Sequence, residues 1–151
     1  MEARTRATAE MMPAHLARID AEGRYTYSNR RLNAVMPGRP ANILGRPIED
    51  ALGPAYDKVR DAVAKAQDGH QTTVEFTDDA SSRRIRAVFT PDPVEPGVFI
   101  LSQDVTEETQ ARAALQQTRR RALAAQLTSG LAHDFSNLLT IILGMQARLA
   151  R

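Results

Sequence analysis

The chain contains no cysteine among its 151 residues. Disulfides, thiolate metal sites and any chemistry on a cysteine–flavin bond are therefore excluded. Tryptophan is also missing and aromatic residues reach only 5%, so a core must be built mainly from aliphatic side chains. No apolar run approaches the roughly 20 residues of a membrane-spanning helix, and the first residues, MEARTRATAEMM, lack the apolar stretch of a secretory leader. Those absences predict a soluble, cytoplasmic chain. Charge of one sign is lacking as well: 20 Lys and Arg stand against 18 Asp and Glu, too even a balance to argue for a nucleic-acid partner. There is no phosphate-cradling P-loop, no Gly-rich dinucleotide turn and no Ser/His/Asp arrangement. Neither His15 nor His70 has companions at metal-ligand spacing, and no internal repeat or low-complexity tract is present.

What is there suffices for one compact domain plus an extension, with hydrophobic residues at 42%. Residues 1–12 have weak helical character and read as a lead-in helix. His15 to Asp20 (HLARID) and Arg24 to Ser28 (RYTYS) alternate apolar and polar residues around Ala21-Glu22-Gly23, which predicts a β-hairpin. Ser28 or Asn29 is placed to cap a short helix carrying Leu32, Val35 and Met36. Prolines and glycines then punctuate Pro37 to Pro54, after which Ala55 to Gln67 predicts a helix with Tyr56, Val59, Val63 and Ala66 on one side and Gly69 beyond its end. Three strands are expected next, Gln71 to Thr77, Arg83 to Thr90 and Gly97 to Gln103. Val74 with Phe76, and Ile85, Ala87 and Phe89, follow the period of half-buried antiparallel strands. The class is α+β, a five-stranded antiparallel sheet with short helices on one face.

Asp104 with Glu107 three residues on is a helix-start signature, and from there to Arg151 no proline occurs. One long helix is the economical reading. Its first half has a thin seam of Ala111, Leu115, Ala122 and Leu123, a weak coiled coil able to change register. Arg119-Arg120-Arg121 reads as a solvated face. In the second half, Leu123, Leu127, Leu131, Phe135, Leu138, Ile142, Met145 and Leu149 recur at steps of four or three. At about 100° per residue, His133 points roughly 200° away from Leu131 and so lies off the apolar stripe. Asp134 follows it directly, and Asn137 stands one turn on, on the same side. A neutral imidazole is a good nucleophile, an adjacent carboxylate can hold its other proton, and a carboxamide one turn away can orient a water or a phosphoryl oxygen. The addition of Leu139, Ile141 and Leu143 widens the apolar arc, which suits a helix bundle.

Leu131 to Gly144, LAHDFSNLLTIILG, resembles the phosphoacceptor box of a sensor histidine kinase, on the first helix of its dimerisation and histidine-phosphotransfer region. The box departs from the common pattern in having Leu138 and Leu139 directly after Asn137 instead of a proline. Arg18 to Asn29 (RIDAEGRYTYSN), Leu44-Gly45-Arg46-Pro47 and Ser102 to Glu107 (SQDVTE) resemble a PAS sensor domain, with Asp104-Val105-Thr106 where such domains hand over to an output helix. The resemblances imply a PAS domain over 13–106, a signalling coiled coil over 107–126 and the start of the phosphotransfer helix over 127–151. They imply His133 as phosphoacceptor, Asp134 as its acid/base partner, and Asn137 as the residue that positions water for phosphatase action. The partners implied are a second copy in a homodimer, a response-regulator receiver domain, and an ATP-binding kinase domain that supplies ATP. No sequence of that last kind is present, so the chain reads as part of a longer protein, inactive alone. The signal or ligand of the PAS interior stays open; His70 lies past the helix end, which argues against a haem ligand. A non-enzymatic reading also stays open, a PAS dimer with a coiled-coil extension in which His133 is incidental.

Overall fold

The computed structural model describes residues 13–149 together with 3, 4 and 7. The lead-in helix expected over 1–12 lies outside the described residues except at those three positions, which are helical. The chain divides into two compact units, Met1–Thr109 and Gln110–Arg151.

In the first unit, β1 (His15–Asp20) and β2 (Tyr25–Ser28) form a hairpin. Then come α1 (Leu32–Val35), α2 (Ile48–Leu52), a 3-10 helix (Gly53–Lys58) and α3 (Arg60–Gln67). After these follow β3 (Thr72–Asp78), β4 (Arg83–Pro91) and β5 (Gly97–Asp104), and the last helix, α4 (Thr106–Leu149), begins. The sheet order is β2-β1-β5-β4-β3, and every neighbouring pair is antiparallel. The first strand thus sits beside the last, and the helical segment connects the two edge strands. The period-two pattern decides which face is covered. His15, Ala17 and Ile19 on β1, and Ile85, Ala87 and Phe89 on β4, are buried while the residues between them are only partly so. Onto that face pack Leu32, Ile48, Leu52, Val59 and Val63 from the helical segment, in one continuous core.

Local chemistry fixes the connections. Gly23 takes a positive φ of 80° in the hairpin turn, a conformation that other residues adopt only with strain. At Gly97 the reason is space: a Cβ there would lie 2.6 Å from both the Arg18 guanidinium and the Ile19 carbonyl oxygen. Arg18 occupies that space because it clamps the β4–β5 loop, pairing with Asp92 at 2.8 Å and donating to the Pro96 carbonyl at 3.2 Å. The Val94 N–H and the Arg18 guanidinium hold the Asp92 carboxyl below the usual carboxylate range. A second clamp joins Arg39 to Asp78 at 2.7 Å, with Asp78 buried and Ser81 on its other oxygen. At the sheet edge Lys58 donates to the Thr77 carbonyl.

Three expectations shift. The helix expected over Ala55 to Gln67 is divided, a 3-10 turn leading into α3 at Arg60. Arg24 is not part of β2 but makes an isolated bridge to Pro47. Neither Ser28 nor Asn29 caps α1, whose first residue follows Arg31 with no side-chain cap. The Asn29 carboxamide instead accepts from Leu16 N–H at 3.1 Å and Arg31 N–H at 3.2 Å, and donates to the Ala14 carbonyl at 2.9 Å. A buried amide able to satisfy three backbone groups across the hairpin is worth more there than at a four-residue helix.

The second unit is the remainder of α4. Proline is absent, glycine occurs only at Gly130 and Gly144, and the helix runs unbroken to Leu149 as expected. Every side chain from residue 110 to residue 148 is exposed.

Candidate functional site

The interior of the first unit has a polar end. His15 is 1% exposed, and its Nε2 lies 2.9 Å from Ser28 Oγ. Burial pushes its pKa down from 6.5 to about 4, so the ring is neutral at ordinary pH. Burial likewise raises the Tyr25 phenol above its usual range. His15, Tyr25 and Ser102 share a cavity of about 20 Å³ with apolar residues such as Leu32, Met36 and Phe89. That volume accommodates a water-sized occupant. β1 sets His15 on the buried face of Ala17 and Ile19, and no local signal marks its partner Ser28, 13 residues on.

The exit from this unit is the start of α4. Asp104 Oδ1 accepts from the Thr106 N–H at 3.0 Å and from its hydroxyl at 2.5 Å. The Thr106 hydroxyl oxygen in turn accepts from the Arg84 N–H at 2.8 Å, and the Val105 N–H donates to the Arg84 carbonyl at 2.7 Å. Arg83 and Arg86 reach Asp104 and Glu108 at 3.5 and 3.6 Å. The first turn of the helix is therefore bonded to β4, the strand whose Ala87 and Phe89 also line the cavity.

On the helix, His133, Asp134 and Asn137 come together as their spacing predicts. Asn137 Nδ2 stands 3.3 Å from His133 Nδ1, and Asp134 Oδ1 stands 3.8 Å from the same nitrogen. The histidine and aspartate side chains are 74% and 82% exposed. Both neighbours converge on Nδ1, which leaves Nε2 without a hydrogen bond among the described residues. A ring held at one nitrogen and open at the other can attack an electrophile from solvent. The closer approach of Asn137 was not foreseen: an amide nitrogen there donates to an unprotonated Nδ1, and only the flipped amide, with its oxygen toward an Nδ1–H, leaves the Nε2 lone pair free to attack.

Among the described residues, no group of three or more His, Cys, Asp or Glu is arranged to hold a metal ion, and no helix is long and apolar enough to cross a membrane.

A family model described as "PAS fold" matches residues 9–110. The chain belongs to this family, and its first unit is a PAS signal-sensing domain. Solved structures agree on the fold. The PAS domain of the histidine kinase ThkA is 20% identical, with a TM-score of 0.50 over 62% of this chain and 100% of that one. The photoactive yellow protein domain of the sensor histidine kinase Ppr from Rhodospirillum centenum is 15% identical, with a TM-score of 0.50 over 65% of this chain and 91% of that one. An RNA-binding light-oxygen-voltage receptor is 16% identical, with a TM-score of 0.52 over 75% of this chain and 34% of that one.

Proposed function

We propose that this chain is the sensor and phosphoacceptor part of a two-component histidine kinase. The PAS domain controls ATP-dependent phosphorylation of His133, which then passes the phosphoryl group to an aspartate of a response regulator. The observation that carries this reading is the placement of His133: off the apolar stripe, exposed, with Asn137 Nδ2 at 3.3 Å and Asp134 Oδ1 at 3.8 Å from its Nδ1. In the transfer, Nε2 attacks the γ-phosphorus of ATP as the bond to the leaving ADP oxygen breaks. Asp134 balances the charge, and takes the proton, that the attack leaves at Nδ1. Phosphoryl transfer rests mainly on positioning and charge stabilisation, and a rigid helix supplies the positioning. The ATP-binding domain is a partner outside this chain. Asn137 is assigned the water that hydrolyses the regulator's aspartyl-phosphate.

The helix functions as a parallel homodimer. Leu127 and Leu131 are 60% and 70% exposed, and burying one such side chain contributes about 1.5–3 kcal/mol, so several turns of stripe favour a two-fold seam. Leu138 to Met145 is apolar over a still wider arc, which a four-helix bundle covers.

The test joins the chain to a kinase ATP-binding domain and follows label from γ-labelled ATP. Acid-labile label on His133, lost in His133→Gln, supports the reading; persistence of the label in His133→Gln removes it. In the same protein, Asp134→Ala should slow labelling severely. Asn137→Ala should impair dephosphorylation of the regulator while labelling continues. Equal loss of both activities in Asn137→Ala would make its contact with Nδ1 structural and end the phosphatase assignment.

A further inference from the structure

Arg39 is short of hydrogen-bond acceptors. Its side chain is 12% exposed, and a guanidinium is rich in N–H donors. Among the described residues only Asp78 Oδ1 accepts from it, from Nη2 at 2.7 Å, and its Nε is buried with no partner. Arg18 is buried to a similar degree, at 14%, and has no such shortage: Asp92, Thr26 and the Pro96 carbonyl take its three nitrogens. A buried donor without an acceptor calls for an explanation.

The surroundings of Arg39 supply one. It borders a cavity of about 300 Å³, at the lower end of the range for small-molecule sites. Three segments meet there: the loop after α1 with Arg39, the 3-10 helix with Pro54, Ala55 and Lys58, and the turn after β3 with Asp79 and Ala80. No residue is shared with the lining of the core cavity at His15. Two cations thus border one space, and the carboxylates beside them differ. Asp78 is 1% exposed, and its oxygens are taken by Arg39 and by the Ser81 hydroxyl. Asp79 is 85% exposed and pairs with Lys58 at 3.0 Å. An ion pair so open to water contributes about 1 kcal/mol or less, and a competing anion displaces it readily.

We infer that this cavity binds a small organic acid. The ligand carboxylate takes the N–H groups of Arg39 that Asp78 leaves unused, together with the Lys58 ammonium, and Asp79 moves into solvent. Nε is enclosed by protein atoms, so binding turns the guanidinium toward the cavity and brings Nε and Nη1 to the two carboxylate oxygens. Such paired, charge-assisted bonds are the strong ones. Pro54, Ala55 and Ala80 offer carbon surface and no hydrogen-bonding side chain, which suits a short apolar chain behind the carboxylate and gives an inorganic anion nothing to bury.

The Arg39 Nε–H gives its own signal in a proton–nitrogen correlation spectrum, so occupancy is read at the group itself. The intact chain would be titrated with butyrate and, in parallel, with butanol, inorganic phosphate and chloride at matched ionic strength. Butyrate should shift Arg39 Nε–H and the Ala80 and Ser81 amides along a saturable curve. Butanol and chloride should give no saturable shift, and phosphate should bind more weakly than butyrate. Lys58→Gln should weaken butyrate binding by about tenfold or more, the loss of one charge-assisted hydrogen bond. Arg39→Lys keeps a cation on Asp78 but loses the two-pronged geometry, and should weaken it as well; unchanged denaturant midpoints in the two variants show that the fold is intact. If Arg39→Lys fails to fold, Lys58→Gln decides. Butanol matching butyrate would reduce the cavity to an apolar cleft, and phosphate binding more tightly than butyrate would overturn the assignment to an organic acid. The absence of a saturable shift with butyrate, or one that Lys58→Gln leaves unchanged, would overturn the site.

Discussion

Two phenylalanines show how differently the two units are built. Phe89 on β4 is 1% exposed, enclosed by the helices and the sheet, whereas Phe135 on α4 is 64% exposed. The first unit closes its core with its own residues. The second presents its apolar stripe to its surroundings, the pattern of an element completed by another chain. On the function proposed above, the first must be a stable vessel whatever it is attached to, while the second needs another chain to cover its stripe.

The largest effect that would break this comparison is in the core. Phe89→Ala should destabilise the PAS domain by about 3–5 kcal/mol, the usual cost of deleting a buried aromatic side chain. Phe135→Ala should leave PAS unfolding in denaturant unchanged and weaken only association. A similar loss of PAS stability in both variants would mean that the helix contributes to that core.

The next effect is tied to pH. His15 has a folded-state pKa of about 4 against an ordinary 6.5, so the unfolded chain takes up a proton first as pH falls. The stability that its neutral burial contributes is fully present above pH 6.5, declines toward pH 4 and then levels off. The total is about 3 kcal/mol at 1.36 kcal/mol per pKa unit. His15→Gln should lack this share of the acid loss, and denaturant unfolding of both proteins between pH 4 and 7 measures the difference. Parallel pH profiles would show that His15 is not desolvated as described.

Much of this was legible in local pattern, because local pattern is what sets strands and helices. Alternation and turn residues located the five strands. The proline-free run gave a single helix, and spacing set His133, Asp134 and Asn137 together. What escaped depends on partners far apart in sequence. Asn29 serves Leu16 and Ala14, 13 and 15 residues back, and so is not free to cap α1. Arg18 finds Asp92 across 74 residues, and no local signal announces that pairing or the space it denies to a side chain at Gly97. At the site, helical spacing predicted a shared side but not that Asn137 would approach Nδ1 more closely than Asp134. That depends on side-chain rotation, which spacing does not fix.

The central contrast, a self-sufficient sensor core joined to a helix that a second copy completes, is tested most directly by amide hydrogen exchange of the intact chain across a range of protein concentrations. Core strands such as β1, β4 and β5 should be protected to the same degree throughout, because their opening does not involve another molecule. Amides between Leu115 and Met145 should gain protection as concentration rises, in step with dimer formation in sedimentation. Helix amides whose protection is independent of concentration, in a chain that stays monomeric, would contradict the account.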